Sequence, residues 1–278
     1  MRFMLTFCLL TLSSMVQAED KFITIASTTS TQNSGLYDYL LPQFTADTGI
    51  GVRVVAVGTG QAIKIAKNGD ADVLLVHHRP SEDAFVENGY GIERRDVMYN
   101  DFVIVGPKGK ASFESLENAL TTFASTEDYA FVSRGDDSGT HKRERELWAT
   151  FNLSPQGKWY REIGAGMGAA LNMSASIDAY TMSDRGTWLS FGNKGQLGII
   201  IQGDDILFNP YGIILVNPEK HPHVKISMAR QFSDWIVSDK AQSIIGAFSV
   251  NGMQLFCPNA NPEDNINVVC PSSIPRTD

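Results

Sequence analysis

Short apolar runs alternate with amphipathic stretches along almost the whole chain. FITIA (22–26), VRVVAVG (52–58), ADVLLVHH (71–78), YAFVS (129–133), LGIII (197–201) and ILFNPYGIILV (206–216) have the length and β-branched content of strands. VMYNDFVIVG (97–106) is long for one strand and could serve two lobes. Between these runs, Leu36, Leu40 and Phe44 recur at helical spacing in SGLYDYLLPQFTADTG, which stops at Gly49. Pro42 predicts a kink or a restart within that helix. Further helices are predicted over Gln61–Lys67, 81–88, 113–124, Ser138–Phe151 and Met167–Ile177, with another after the short stretch YTMS. ISMARQFSDWIVSDKAQSIIGAF reads as one last amphipathic helix.

The alternation predicts an α/β protein with mostly parallel sheets covered on both faces. In such sheets ligands sit beyond the carboxyl ends of the strands, where helix N-termini converge. Three strand-to-helix joints are rich in hydroxyls and glycines: STTSTQNSG (27–35), GTGQ (58–61) and SRGDDSGT (133–140). A helix N-terminus presents free N–H groups and a partial positive charge, and so attracts anions. Ser and Thr add donors, glycine lets the backbone come close, and Arg134 adds a planar fork of N–H groups. Helix capping explains any one such joint. Three together, one of them with an arginine, point to a shared anion.

The chain's start and charge narrow the setting. MRFMLTFCLLTLSSMVQA (1–18) has Arg2, an apolar run over 3–12 and the small-residue end Val16-Gln17-Ala18 of an export signal, too short to span a bilayer. Without it the chain carries 22 basic and 31 acidic residues, a net charge of −9, the reverse of a nucleic-acid binder's balance. About 260 mature residues suit two lobes. Cys257 and Cys270 bracket a Pro/Asn-rich segment and are expected to form a disulfide in an oxidising compartment.

Other chemistry finds less support. GAGMGAA (164–170) lacks the third glycine of a dinucleotide fingerprint and reads as helix packing. His77 and His78 are adjacent in a predicted strand, so they should face opposite ways and not share a metal. One of the two could look into the cleft, but a structural role is the expected one, and no metal or cofactor is expected. Ser138 sits in GDDSG with His141 three residues on, but no G-x-S-x-G elbow appears. A secreted serine hydrolase is therefore the lesser reading, and the chain is not expected to be an enzyme.

The order TTSTQ-SGL, VGTGQA, GDADVLLVH, MYNDFVIVGP, SRGDDSGTHK, GMG, DRGTW and NPYGIILVNP resembles the periplasmic tungstate-binding proteins of ABC importers, from about Ile23 to Phe248. The resemblance implies a two-lobe periplasmic binding protein fold of type II, with lobes of 19–103 plus 206–278 and 104–205. It implies a monomer in the periplasm that captures tungstate, with molybdate as a second ligand, and delivers it to an inner-membrane ABC permease. Phosphate or sulfate is the alternative ligand. By position, the resemblance points to Thr28, Thr29, Ser30, Thr59, Ser133, Arg134, Ser138, Gly139 and Thr140 as the anion's contacts, leaving open which of Ser27, Thr28 and Thr29 faces it. Of Asp136 and Asp137, one is expected to cap the helix and the other to orient Arg134 from behind.

Overall fold

The computed structural model describes residues 21–126 and 128–260. The export signal and Cys270 lie outside these residues. In chain order the first elements are β1 (Phe22–Thr28), α1 (Thr29–Asn33), α2 (Leu36–Thr48), β2 (Gly51–Val57), α3 (Thr59–Lys67), β3 (Val73–Val76) and α4 (Arg79–Glu87). The strand β4 (Gly91–Pro107) then leads to α5 (Leu116–Thr126), β5 (Phe131–Ser133), α6 (Gly139–Thr150), β6 (Tyr160–Glu162) and α7 (Met167–Ile177). Next come β7 (Thr181–Asp184), α8 (Arg185–Ser190), β8 (Leu197–Ile201) and, after a single 3-10 turn, β9 (Phe208–Val216). The described chain closes with α9 (Ile226–Ile236), α10 (Asp239–Ala247), the hairpin β10 (Ser249–Val250) and β11 (Met253–Gln254), and β12 (Cys257–Pro258).

One strand organises the molecule. Residues 91–101 of β4 pair with β9 in a sheet of order β12-β4-β9-β3-β1-β2, while residues 102–107 pair with β7 and β8. The β7 side continues through a bridge between Phe131 and Tyr180 to β5 and β6. The chain thus passes from one strand group to the other at Asp101–Phe102. It returns at Leu207–Phe208, and Asp101 and Phe208 are register partners. A buried ion pair marks this crossing: Arg185, first residue of α8, donates from Nη2 to Asp101 Oδ2 at 2.6 Å.

The sheet is mixed where a mostly parallel one was expected. β1 runs parallel to β2 and β3, but β9 and β4 are antiparallel to their neighbours because both are return strands between the two groups. The apolar runs still follow from burial on two faces. Ile23, Ile25, Val73, Leu75, Ile213 and Leu215 pack into one core with α2 and α9, through Leu40, Phe44, Phe232 and Ile236. The alternate residues Ala26, Leu74, Val76, Ile214 and Val216 pack against α3 and α4, through Ile63, Ala66 and Phe85. A separate core beneath the second group holds Phe102, Ile104, Leu120, Phe123, Phe131 and Trp148.

Two helix expectations change. Pro42 sits inside one continuous α2, with no restart. The last predicted helix is two: α9 ends at Ile236, and the Ser238 side chain caps α10 by accepting the Ala241 N–H. Apolar spacing carries across that break, so periodicity alone does not reveal it.

Candidate functional site

The three hydroxyl-rich joints meet at one cleft. A cavity of about 570 Å³ is bordered by Thr29 of the first, Gly58, Gly60 and Gln61 of the second, and Arg134, Asp136 and Asp137 of the third.

In the first joint most hydroxyls face inward. Ser27 Oγ donates to Leu75 O at 2.8 Å and lies 2.5 Å from the Tyr37 hydroxyl, so it is held away from the cleft. Thr28 caps α1 and lies 2.7 Å from Thr31 Oγ1 and 3.1 Å from Ser30 Oγ. Ser30 Oγ in turn lies 3.1 Å from His77 Nε2. Among Ser27, Thr28 and Thr29, it is Thr29 that borders the cavity.

The second joint opens α3 without a capping side chain, since Gly58 occupies the cap position. The first N–H groups of α3 are therefore left for a ligand or water. Thr59 is buried, and its Oγ1 has no hydrogen-bond partner among the described residues. A buried hydroxyl left unpaired costs about 1–3 kcal/mol, which an incoming acceptor would relieve.

The third joint turns sharply, with Gly135 and Asp137 both in the left-handed region at φ 61° and 57°. Ser138 then caps α6, its Oγ accepting the His141 N–H at 3.2 Å. Asp136 Oδ2 accepts from Arg134 Nη2 at 2.6 Å and Nε at 3.1 Å, and its Oδ1 accepts the Ser138 N–H at 3.2 Å. Burial opposes the charge of Asp136, but the bonds from Arg134 and Ser138 hold its carboxyl below the usual range. Asp136 thus orients Arg134, as expected of one aspartate. The other does not cap the helix: Asp137 is largely exposed, 3.6 Å from Lys142 Nζ. Capping falls to Ser138 because its Cβ hydroxyl is already one turn below the His141 N–H. Ser133, at the end of β5, has a buried Oγ that packs near Glu144 and Tyr160 yet meets no partner at hydrogen-bonding geometry. Gly139 and Thr140, the first residues of α6, are buried.

The second and third joints touch. A β-carbon on Gly139 would stand 2.6 Å from Thr59 Oγ1 and 3.4 Å from His77 Cε1. One contributor was not anticipated. Gly166, which begins α7 with no side-chain cap, also borders the cavity. The GAGMGAA stretch read as packing therefore brings another helix N-terminus to the cleft, signalled only by glycines ahead of a helix. His77 is buried with both ring nitrogens partnered, as a structural histidine would be, and it also abuts the joints, while His78 caps α4 and lies 2.8 Å from Glu146 Oε1.

What can this arrangement do? It offers a guanidinium, two unpaired hydroxyls and uncapped helix N-termini, which is chemistry for holding an oxyanion. Nucleophilic attack by Ser138 lacks a base, because His141 Nδ1 accepts the Asp137 N–H at 3.1 Å and leaves Ser138 Oγ to its cap. Among the described residues no cluster of His, Cys, Asp and Glu could hold a metal ion, and no helix is long and apolar enough to cross a membrane.

A sheet group on each side of a shared β4, with donors converging between them, defines a type II periplasmic binding protein. The PBP superfamily domain matches residues 16–240. The chain is 49% identical over 245 residues to the tungstate-binding protein TupA of Peptoclostridium acidaminophilum, covering 86% of each. Two solved structures are similar. One is the tungstate ABC transporter protein of Geobacter sulfurreducens, 46% identical, with TM-score 0.75 over 82% of this chain and 98% of that one. The other is the tungstate-binding protein TupA of Desulfovibrio alaskensis G20, 44% identical, with TM-score 0.76 over 86% and 99%. This chain belongs to the family of TupA-type tungstate-binding proteins.

Proposed function

We propose that the protein captures tungstate in the periplasm, with molybdate as a second ligand, and presents it as a monomer to an ABC permease. The observation that carries this reading is Thr59 Oγ1: a buried, unpaired hydroxyl at an uncapped helix start, facing the Arg134 joint across a small cleft. An unprotonated dianion would satisfy it, together with the Arg134 fork; Ser133 Oγ, set against Glu144 and Tyr160, would have to turn to join them. Asp136 borders the cleft with both oxygens engaged, by Arg134 and the Ser138 N–H. With Asp137 at the exposed edge beside Lys142, the buried part of the cleft is left to donors, which favours tungstate over hydrogen phosphate, whose proton would need an acceptor there.

In this reading Thr29, Ser30, Thr59, Ser133, Arg134 and the α6 start at Ser138, Gly139 and Thr140 hold the anion, while Thr28 shapes the first joint. The lobes, expected as 19–103 plus 206–278 and 104–205, divide in this reading at the crossings Asp101–Phe102 and Leu207–Phe208, since Phe102 and Leu207 belong to the second core. The export signal places the chain in an oxidising compartment, where Cys257 pairs with Cys270. Intact mass after alkylation without reductant reads that pairing, and two alkylated thiols would contradict it.

Calorimetric titration with tungstate tests the reading. Wild type should bind, and Thr59→Val should bind more weakly by roughly 1.5–3 kcal/mol, the value of a hydrogen bond to a charged group. The ligand-free variant should be no less stable, since valine removes an unpaired hydroxyl. Absence of tungstate binding by wild type would overturn the reading.

A further inference from the structure

His77 follows β3 and is buried beneath the cleft. Its ring reaches three parts of the site at once. Nε2 lies 3.1 Å from Ser30 Oγ in the first joint. Nδ1 lies 2.9 Å from Asn209 Oδ1 on β9, at the crossing between the lobes. Cε1 faces Gly139 of the third joint, where an added β-carbon would stand 3.4 Å away. Tyr211 stacks on the ring at 4.7 Å between centroids, and Phe102 lies tilted at 6.4 Å.

Asn209 Nδ2 donates to Asn100 Oδ1 at 2.6 Å, so its Oδ1 is turned to His77 and accepts the Nδ1–H. A neutral imidazole with its proton on Nδ1 has a bare Nε2, which accepts the Ser30 hydroxyl. The single proton of Ser30 then points inward, and the cleft sees its lone pairs, the wrong polarity for an anion. A proton on Nε2 reverses this. The imidazolium donates to Ser30 Oγ, and the serine hydroxyl is released from the ring, to donate to Thr28 Oγ1 at 3.1 Å in the empty cleft and to the anion in the occupied one.

Resting on the oxyanion reading above, we propose that His77 takes up one proton from solvent when the cleft receives its dianion, and that Ser30 relays it as a hydrogen bond to the anion. The charges around the ring suit a group balanced between two states. The Asp184 carboxylate, on β7, favours the imidazolium; Arg134 of the third joint and the adjacent His78 oppose it. Ser30 on α1, Asn209 and Tyr211 on β9, Asn100 and Phe102 on β4 and Gly139 on α6 complete its surroundings without further charge. Burial is the largest influence and keeps His77 neutral in the empty cleft, with a pKa below the ordinary 6.5. Two negative charges nearby shift it the other way. Within the window between the empty and occupied values, affinity should weaken about tenfold per unit rise in pH, the consequence of one linked proton. His77 is a positioning residue here: it acts on the anion through Ser30.

The test is calorimetric titration of the full chain with sodium tungstate at several pH values, spanning both sides of the ordinary His value of about 6.5, each in two buffers of different ionisation enthalpy, with uptake read at its maximum. Wild type should take up about one proton per anion. His77→Gln and Ser30→Ala should take up markedly less while still binding tungstate more weakly. Tungstate binding by wild type with no uptake would overturn the inference and leave the proposed function standing. Undiminished uptake in His77→Gln would assign the proton elsewhere, and undiminished uptake in Ser30→Ala would show that Ser30 does not relay it; either result would overturn the inference. Failure of wild type to bind tungstate at all would overturn the reading on which it rests. The wild-type pair of buffers decides the question even if a variant does not fold.

Discussion

Gly139 and Thr59 meet so closely that a β-carbon on the glycine would stand 2.6 Å from the threonine hydroxyl. The contact joins the starts of α6 and α3, one from each side of the cleft. Gly139→Ala should therefore prop the cleft open. Overpacking of this kind costs about 1–3 kcal/mol, so tungstate affinity should fall by roughly 5- to 150-fold. Gly60→Ala is the control. Its β-carbon would stand 2.8 Å from Asp137 Oδ2, the end of a largely exposed side chain that can swing aside. The alanine at Gly60 should be the milder of the two by calorimetry; the opposite order would mean that Thr59 and Gly139 separate when the anion binds.

Arg134 is buried and held from behind by Asp136 Oδ2. Its Nη1 makes no hydrogen bond among the described residues. Arg134→Ala should weaken tungstate binding by at least roughly 1.5–3 kcal/mol, because it removes the charged donor of a desolvated site. Arg134→Lys should recover only part, since an ammonium cannot both engage Asp136 and present a planar fork to the anion. Unchanged affinity in the alanine variant would remove Arg134 from the site.

The joints were legible in the sequence because each is local: a strand end, a few hydroxyls and glycines, a helix start. What escaped depends on distant partners. His77 gains its place from Asn209, 132 residues away, and no spacing in the chain announces that bond. Gly166 was passed over because its contribution is backbone N–H groups with no side chain to mark them. The antiparallel return of β9 onto β3 and β4 is likewise a matter of pairing, which apolar runs do not encode. Asp136 and Asp137 look equivalent in sequence; the left-handed turn at Asp137 sends one inward to Arg134 and the other to solvent. The Ser238 cap of α10 did carry a signal, a serine followed by Asp239 in the first turn, hidden by unbroken apolar spacing.

Glu144 gives a pH signature. It lies buried on α6, accepting from Tyr160 OH at 2.7 Å and Trp148 Nε1 at 3.2 Å, and burial pushes its carboxyl up to about 7. The folded protein thus holds a proton that the unfolded chain releases near 4.5. The stability linked to this group is complete below that value and is lost as pH rises through the folded value, by roughly 3 kcal/mol at most. Glu144→Gln keeps an acceptor oxygen and cannot ionise. Melting the ligand-free protein at about pH 5 and about pH 8 should show the variant gaining on wild type at the higher pH. Comparing the two cancels every other titrating group, His77 included. Parallel melting temperatures would contradict a buried, protonated Glu144.

The central claim is a cleft of donors fitted to a large unprotonated dianion, and ligand-dependent melting tests it most directly. A ligand specific for the folded state adds about 2.7 kcal/mol at a hundredfold excess over Kd. For a chain of this length each kcal/mol moves Tm by roughly 2–4 °C. Tungstate at that excess should raise Tm by about 5–10 °C. Molybdate should do as much or less, and sulfate and phosphate at equal low concentration far less. Sulfate, being smaller, should reach fewer of the donors, and hydrogen phosphate would need an acceptor such as Asp137, which stands at the exposed edge of the cavity beside Lys142. A shift with phosphate alone would contradict the account by requiring an aspartate that faces the anion. No shift with any of the four would contradict the convergence of the three joints on an anion.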